Sequence, residues 1–544
     1  MGRGRRGDGG MTAQIEDIHF ALTKLHAMPD AGLGAGDIAA LLEEMRKFAM
    51  EVVEPGRLEA DRIGARFENG AVTCPPGFRA AYAAWIEGGW QGLCAAEAHG
   101  GQGLPFALWA ALKEIMTTAD MAFSLCPTLT AGAIELLERY ATPEQAEKWL
   151  PELVSGRWNG TMCLTESQAG SDLAAVRTKA EPLDNGHYAL AGQKIFITYG
   201  AHDLCANSLH LVLARLPDAP AGSRGISLFA TTTLRADGTP NALRCGGIER
   251  KLGIHASPTC LMLFEGAEAE LIGEAHRGLP AMFAMMNNAR LQIGIEGVAA
   301  GARALHLAET YAAQRVQGGR PIAHHPDVAR MLAEIRAVTL AGRFLALDAA
   351  VAADHARLGD ETAEARLALL TPIVKAWCTE RGVQSAHLGV QVHGGTGFVE
   401  DTGAAQVLRD SRIAPIYEGT NGIQALDLVT RKLPRDQGAV LRGMLAEARS
   451  ADMRLAPALD ALEVATSWIL AASPEEAAAS ASAYLEACGW VLGGALLARA
   501  AKLDDRYAPI ADFYRARLLP RAQAHCSEIR GAAELLALLP ADAA

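Results

Sequence analysis

Strand-like segments occur in only one part of this 544-residue chain, and helical periodicity dominates on both sides of it. Within residues 159–275, short runs rich in β-branched and aromatic residues, such as Tyr188–Thr198, alternate with turn residues. Before and after this region, apolar residues recur at the spacing of three and four that gives a helix one apolar face. The order predicts an α+β multidomain protein with one β domain between helical ones, which few large folds have.

The changes of pattern divide the chain into five segments. A tail and lead-in cover residues 1–36, and an N-terminal α-helical domain covers 37–158. The central β domain is predicted at 159–275 and a second helical domain at 276–433. An additional Ala- and Leu-rich helical block follows at 434–544. The chain is too long for one compact core, so several domains are expected.

Composition excludes several classes of function. The net charge of -12 argues against a general nucleic-acid binder. No apolar run reaches the roughly 18 residues of a membrane span, and we predict none. The basic, glycine-rich start lacks the apolar region of a secretory signal, and Met11 is a candidate for the true start. The ten cysteines are scattered without a C-x-x-C pair, which favours reduced thiols in a cytosolic protein and predicts no metal site.

The stretch Ile416–Gln424 carries one carboxylate, Glu418, followed by two glycines and small polar residues. Thr420 and Asn421 are good N-cap residues, and the sequence after them has helical character. Glu418 is therefore predicted at a break between helices, where a general base and an anionic ligand are both accommodated. On this stretch alone, an ordinary interhelical turn with a solvated glutamate is the favoured interpretation.

A second stretch, Met162–Asp172, lies at the change from helical to strand-like sequence. Thr165, Ser171 and the peptide groups around Gly170 offer several hydrogen-bonding groups within a tight loop. Such a loop is able to hold a polar ring edge or a phosphate. The alternative is a capped turn, which the length of the motif disfavours.

Four motifs in this order resemble the acyl-CoA dehydrogenase family. They are Cys163–Asp172, Lys194–Thr198, Gln391–Gly395 and Ile416–Gln424. The resemblance covers about 37–432 and implies a helical domain, a central β-barrel and a C-terminal four-helix bundle. The sequence of His393–Phe398 and the added C-terminal block resemble those of a longer bacterial subgroup, which includes the methylthiopropionyl-CoA dehydrogenases.

The resemblance implies that the chain binds FAD. The residues implied to line the flavin and its pyrophosphate are Met162, Cys163, Leu164, Thr165 and Ser171. Those implied to pack on the flavin ring and bond its edge are Phe196, Ile197 and Thr198. Ser171 is also implied to lie near the thioester arm of CoA. Phe196 departs from the family pattern, which most often has tryptophan, so the apolar face is kept but the indole donor is lost.

The resemblance further implies a homodimer or homotetramer, because some FAD contacts come from a neighbouring subunit. Arg315 and Gln317 match such positions, and the planar, always charged guanidinium of arginine suits a pyrophosphate. The residues implied to contact the adenosine part are Gln391, Val392, His393, Gly394 and Gly395. Those implied to face FAD near the carboxylate are Thr420, Asn421 and Gly422. A solvated helix-end cation and a helix C-cap turn remain the alternatives for Arg315 and for Gln391–Gly395.

Glu418 is the catalytic base that the resemblance implies. Some family members carry their glutamate directly before the arginine that matches Arg290, but Ala289 stands there in this chain. Arg290 is implied to bind the CoA side, with a structural salt bridge as the alternative, and Gly419 is implied to approach the thioester closely. We expect burial to raise the pKa of Glu418 towards neutrality.

The implied reaction is the FAD-dependent dehydrogenation of an acyl-CoA to a trans-2-enoyl-CoA, as in fatty-acid β-oxidation in the cytoplasm. Glu418 takes the α-proton, the β-hydride goes to flavin N5, and an electron-transfer flavoprotein receives the electrons. An acyl-CoA oxidase that uses dioxygen is the nearest alternative. A DNA-binding flavoprotein relative is disfavoured by the mixed charge of 439–544 and by the overall acidity of the chain. An inactive scaffold is disfavoured by Glu418 and the flavin motifs, and the acyl chain stays open.

Overall fold

The computed structural model describes residues 9–540, so most of the glycine-rich start lies outside the described residues. The first region is helical, as predicted, and contains one small hairpin. Its elements are α1 (Gly9–Phe20), α2 (Ala35–Phe48), α3 (Arg57–Ile63), β1 (Arg66–Glu68), β2 (Ala71–Thr73), α4 (Phe78–Glu87), α5 (Phe106–Ala119), α6 (Met121–Tyr140) and α7 (Pro143–Val154).

The start of α7 shows how local sequence sets a helix boundary. The Thr142 side chain accepts a hydrogen bond from the Gln145 backbone N–H, and the Gln145 side chain accepts one from the Thr142 N–H. Pro143 fills the first helical position, where a missing N–H costs nothing. This reciprocal arrangement satisfies backbone donors that the helix itself leaves unpaired, so the helix begins there.

The central domain is a β-barrel, which confirms the predicted fold class. Its strands are β3 (Trp158–Cys163), β4 (Lys179–Pro182), β5 (Tyr188–Thr198), β6 (Asn207–Arg215), β7 (Ile226–Thr232), β8 (Leu243–Ile248) and β9 (Thr259–Ile272). The pairings β4–β5, β5–β9, β9–β7, β7–β6 and β6–β4 close a ring, while β3 joins β6 and β8 joins β9. Alternate side chains point inward and form a buried core that includes Leu190, Val212, Phe229 and Phe264.

Long helices follow the barrel. They are α8 (Gly278–Gln314), the short strands β10 (Val316–Gln317) and β11 (Arg320–Pro321), α9 (Pro326–Arg357), α10 (Glu361–His393), α11 (Ala404–Ser411), α12 (Asn421–Asp427) and α13 (Leu433–Arg435). Helices α8 and α10 touch backbone to backbone at Gly297 and Gly382. A Cβ on Gly297 would lie 2.3 Å from the Cys378 carbonyl oxygen, so only glycine fits. This close approach brings α10 beside the part of α8 that carries site residues.

The predicted extra block consists of helices around one central helix. The helices are α14 (Ala439–Ala451), α15 (Ala456–Ala471), α16 (Pro474–Leu503), α17 (Ala508–Arg517), α18 (Pro520–Glu528) and α19 (Ala532–Leu536). α16 packs on α10, where Gly489 faces the Trp377 ring and Arg381 pairs with Glu486 at 3.2 Å. α16 alone among the described helices is long and apolar enough to cross a membrane. However, 83% of its most apolar window is buried, as in the core helix of a folded domain.

Packing groups the described chain into two units. The first comprises the residues up to Arg46, Pro105–Thr118 and everything from Arg290 onward. The second comprises Lys47–Leu104 and Ala119–Ala289. The lead-in helix α1 belongs to the first unit, where the Phe20 ring lies 4.6 Å from the Tyr507 ring. The Glu418 turn is in the first unit, and the Met162–Asp172 loop is in the second.

Candidate active site

Glu418 lies in the turn before α12, at the predicted break between helices. Thr420 begins the helix, because its side chain accepts a hydrogen bond from the Ile423 N–H at 3.4 Å. Glu418 has a φ of 55° and Gly419 a φ of 86°. The left-handed conformation is costly for a residue with a side chain, and such strain concentrates at functional sites. The Glu418 side chain is partly buried, so the turn is not the solvated one that the local sequence favoured.

Three side chains hold this strained backbone through its carbonyl oxygens. Arg290 Nε donates to the Glu418 oxygen at 3.3 Å, and Lys375 Nζ donates to the Gly419 oxygen at 2.8 Å. Gln424 Nε2 donates to both oxygens at 3.3 Å. All three donors are buried, so water does not compete for these hydrogen bonds. The turn is therefore fixed by groups from α8, α10 and α12.

Burial sets the protonation of the Glu418 carboxyl. It raises the pKa of Glu418 to about 7, against the opposing effects of Arg290 and Lys375, while Glu296 adds to the rise. A carboxyl with this pKa is ready both to accept and to retain a proton near neutral pH, as a general base requires. Burial also lowers the pKa of Lys375 to about 7 and lowers the pKa of Arg290. The turn thus holds three ionisable groups in a poorly solvated environment.

A second buried group lies behind the turn. Lys113 and Glu296 form an ion pair at 2.8 Å, and both side chains are fully excluded from solvent. The Tyr417 hydroxyl donates to the other oxygen of Glu296. Because Tyr417 directly precedes Glu418, this arrangement anchors the turn from its N-terminal side. No sequence motif indicated Lys113, Glu296 or Lys375, and the visible signal for Lys375 was a single cation within an apolar helical run. Gln424 ends the Ile416–Gln424 motif, but no role was predicted for it.

In the second unit, Glu166 organises the Met162–Asp172 loop. Its carboxylate accepts hydrogen bonds from the Arg177 N–H, the Thr178 N–H and hydroxyl, and Lys194 Nζ at 2.6–3.0 Å. Burial raises the pKa of Glu166, but Lys194 and these donors outweigh it, so the pKa falls to about 2. Lys194 also donates to the Leu164 oxygen at 2.9 Å. The buried pair ties the first motif to the second, although neither residue was among the predicted contacts.

The predicted flavin-binding residues of this unit differ in their exposure to solvent. Cys163, Leu164 and Ile197 are buried, so their side chains are not exposed to a ligand. Met162, Thr165, Ser171 and Thr198 reach the surface of the unit. Phe196 is 58% exposed and has a φ of 61°, so its ring is held outward at some cost in backbone energy. The Ile195 N–H donates to the Thr165 oxygen at 2.9 Å, which places the two motifs side by side.

The positions expected to reach a neighbouring subunit lie on the surface of the first unit. Arg315 and Gln317 are exposed just after α8, and Gln391, Gly394 and Gly395 are exposed in the last turn of α10 and directly after it. Val392 and His393 are buried, and His393 Nδ1 lies 2.7 Å from the Gly389 oxygen. α10 ends at His393 with Gly394 at a φ of 62°, so the segment does form a C-cap turn.

The residues after Gly419 have different surroundings. Thr420 and Gly422 are exposed, as a ligand contact requires. The Asn421 amide, in contrast, is bonded to α10. It accepts from Lys375 at 3.0 Å and donates to Ala376, Thr379 and Glu380. The predicted FAD contact of Asn421 is therefore limited to its backbone, because its side chain is already committed to holding α12.

Models of the acyl-CoA dehydrogenase domains match most of the chain. The N-terminal domain matches residues 37–157, the middle domain 161–267 and the C-terminal domain 276–433. The chain belongs to the acyl-CoA dehydrogenase family. An acetyl-CoA dehydrogenase C-terminal-like model matches 439–540, so the extra block is also a known part of the longer members. The family and subgroup resemblance is thereby confirmed.

Named relatives agree with this assignment. The chain is 44% identical to the 3-methylmercaptopropionyl-CoA dehydrogenase of Ruegeria pomeroyi, over 90% of this chain and 92% of the relative. It is 34% identical to the broad-specificity linear acyl-CoA dehydrogenase FadE5 of Mycobacterium tuberculosis, over 79% and 76% of the two chains. The chain is therefore an enzyme of the acyl-CoA dehydrogenase class, as predicted.

Solved structures share the fold. An acyl-CoA dehydrogenase from Bacillus anthracis, complexed with FAD, matches with a TM-score of 0.75 at 22% identity, over 97% of this chain and 92% of that one. The butyryl-CoA dehydrogenase of Megasphaera elsdenii matches with a TM-score of 0.62 at 26% identity, over 72% and 97%. FAD is the cofactor of this family, and the prediction of an FAD enzyme is confirmed.

Proposed function

We propose that this enzyme oxidises an acyl-CoA thioester to its trans-2-enoyl-CoA, with Glu418 removing the α-proton. The observation that carries the proposal is Glu418 itself. It is a carboxyl held in a left-handed turn, with its pKa raised by burial to about 7. A solvated glutamate is almost wholly ionised at neutral pH and is a weak base, whereas a desolvated one is better matched to a carbon acid.

The α-hydrogens of a thioester are only weakly acidic, so negative charge on the carbonyl oxygen must be stabilised as the proton leaves. The Glu418 backbone N–H is available for this, since no acceptor for it occurs among the residues that the structure describes. The left-handed turn fixes the direction of that N–H. Glu418 is thus proposed to contribute its carboxylate as the base and its peptide group as an oxyanion donor.

The residues of the second unit fit a flavin. Phe196 offers an exposed apolar ring, and Thr165, Ser171 and Thr198 offer polar groups at the surface of the same unit. Buried Glu166 and Lys194 keep the Met162–Asp172 loop in one conformation, which lowers the entropy lost on binding. When bound, FAD supplies the acceptor for the β-hydride. Arg290, Gly419 and Ser171 are all proposed to lie near the CoA thioester.

The acyl group and the electron acceptor are also part of the proposal. The 44% identity to 3-methylmercaptopropionyl-CoA dehydrogenase makes that thioester the first to test, beside butyryl-CoA and longer straight chains. We take an electron-transfer flavoprotein as the acceptor. An oxidase would instead form hydrogen peroxide at the rate of substrate turnover without any added acceptor, and this measurement separates the two.

The assembly and location are proposed on surface features. Exposed Arg315, Gln317, Gly394 and Gly395 support a homodimer or homotetramer in which they contact the FAD of a neighbouring subunit. All ten cysteines are free, which supports a reducing cytoplasmic location and a role in β-oxidation there. Sedimentation analysis with and without FAD tests the assembly.

The decisive experiment is anaerobic mixing of the holoenzyme with acyl-CoA, followed by flavin absorbance. Glu418→Gln removes the base but keeps the size of the side chain, so the variant should bind FAD and show no bleaching. Glu463→Gln, at an exposed position on α15, is the matched control and should bleach at the wild-type rate. Normal bleaching by Glu418→Gln would show that another group removes the proton.

A further inference from the structure

Lys375 is a fully buried cation. It lies midway along α10, and its neighbours in the chain, Val374 and Ala376, are buried too. Its ammonium donates to the Gly419 oxygen at 2.8 Å and to Asn421 Oδ1 at 3.0 Å, which are both uncharged acceptors. Within residues 9–540, no carboxylate lies within ion-pairing distance of it. Burying an ammonium without a paired carboxylate is costly, so a purely structural position would favour an apolar residue of similar size.

The two acceptors of Lys375 lie on either side of Thr420, the residue that begins α12. Gly419 precedes it, in the left-handed turn, and Asn421 follows it as the first helical residue. Asn421 is in turn bonded to the Ala376 oxygen, the Thr379 hydroxyl and the Glu380 carboxylate on α10. Lys375 therefore ties both the turn and the start of α12 to one helix. Arg290 and Gln424 hold the turn from α8 and α12.

The charge of Lys375 also acts on Glu418. The charged groups around Lys375 are Glu418, Arg290, Glu380 and Glu296. Those around Glu418 are Arg290, Lys375 and Glu296. Burial brings the pKa of both Lys375 and Glu418 to about 7, so each group influences the charge of the other in the same pH range. An ionised Glu418 favours a charged Lys375, and the reverse also holds.

We propose that Lys375 is the positioning residue for Glu418: its ammonium fixes the catalytic turn through Gly419 and Asn421, and its positive charge favours the ionised, basic form of Glu418. This inference rests on the proposed role of Glu418 as the base. It assigns to α10 a direct part in preparing the base for proton removal.

Two substitutions separate the two parts of this role. Lys375→Met removes both the hydrogen bonds and the charge, while Lys375→Gln removes the charge and keeps a donor. Flavin reduction by butyryl-CoA is measured anaerobically with each holoenzyme across the neutral pH range. In the wild type the rate should rise with pH as Glu418, with a pKa of about 7, loses its proton, and should fall again at higher pH as Lys375 becomes neutral. The midpoint of the rising part of this profile is the quantity compared between variants.

For Lys375→Met, the maximal rate should fall by about 100-fold, because the base is no longer held in place. The midpoint of the pH profile should move up by about one unit, because a favourable charge is lost. For Lys375→Gln, the midpoint should move by a similar amount, but most of the maximal rate should remain. The butyryl-CoA concentration for half-maximal rate should change little in either variant.

Lys502→Met, an exposed residue of the C-terminal block, controls for the loss of one positive charge and should leave the profile unchanged. FAD content and thermal midpoint show whether each variant is intact. If Lys375→Met does not retain FAD, the proposal is tested by the midpoint of the pH profile of Lys375→Gln alone. An unshifted midpoint in an intact variant overturns the proposal. Bleaching of Glu418→Gln at the normal rate would instead overturn the assignment of the base.

Discussion

Lys113 and Glu296 form an ion pair of 2.8 Å whose two side chains have no exposure to solvent. The pair joins α5 to α8, which are far apart in the sequence. Because Glu296 also accepts a hydrogen bond from the Tyr417 hydroxyl, the pair supports the residue that precedes Glu418, the proposed base. Burial lowers the pKa of Lys113, and the nearby Glu296 carboxylate opposes that shift. The Glu296 carboxylate therefore favours the charged form of Lys113.

Removing one partner of this pair should destabilise the enzyme. Glu296→Gln leaves the Lys113 ammonium buried without its carboxylate, which typically costs about 3–5 kcal/mol. Replacing both residues, as in Lys113→Met with Glu296→Leu, should recover most of that loss, because no uncompensated charge remains. Thermal midpoints of the three holoenzymes measure the effect. A double variant as unstable as Glu296→Gln would show that packing, not charge, is what was lost.

The stability of the enzyme should depend on pH through Glu418. Its pKa rises from an ordinary 4.5 when unfolded to about 7 when folded, so the folded state holds the proton more tightly. The stabilisation is complete below pH 4.5 and is lost as pH rises to about 7. Glu418→Gln is neutral throughout, so it should exceed the wild type in stability by about 3 kcal/mol at high pH and match it at low pH. A difference independent of pH would contradict this.

The contact between α8 and α10 should not tolerate a side chain at Gly297. A Cβ there would meet the Cys378 carbonyl oxygen at 2.3 Å, and backbone cannot move aside cheaply. Gly297→Ala should cost about 1–3 kcal/mol and slow flavin reduction, because Arg290 and Lys375 hold the turn from these two helices. Gly443→Ala on α14 meets no atom within 4 Å and should be neutral or slightly stabilising. Equal effects of the two substitutions would argue against the contact.

Glu166 should control the affinity for FAD through the loop that it organises. Glu166→Gln leaves Lys194 buried without a charged partner and weakens the tie to Leu164, so FAD should dissociate at least 10-fold more readily. Fluorescence of released FAD on dilution measures this. Glu265→Gln breaks an exposed ion pair with Arg244 on the barrel surface and serves as the control, with little expected change. If Glu166→Gln binds FAD with wild-type affinity, Glu166 does not control cofactor binding through this loop.

Patterns within short stretches predicted the order of the domains, because the periods of helices and strands differ and the barrel strands are bounded by turn residues. Local chemistry also placed the break at Glu418, since the N-cap residue Thr420 follows it. These features depend on neighbours in the chain. The local sequence favoured a solvated Glu418, and this was wrong because the helices that bury Glu418 are distant from it in the sequence.

Residues whose role depends on distant partners were not predictable. Lys375 bonds to an oxygen 44 residues further along the chain, and Glu296 to a hydroxyl 121 residues away. Neither is part of a periodic polar pattern, because each is a single charge within an apolar run of its helix. Asn421 illustrates the same limit. Its residue type suited a helix cap, but Thr420 is the cap, and the Asn421 amide bonds to α10.

Helix α10 has two sides that serve different neighbours. Lys375 turns towards the Glu418 turn, while Trp377 lies against Gly489 of α16 in the C-terminal block. A chain shortened before the block would leave the Trp377 face open to water, a wide apolar surface that a single molecule rarely tolerates. The C-terminal block is therefore needed to cover this face of α10. A chain without the block would need another apolar surface in its place, such as that of a second copy of the same chain.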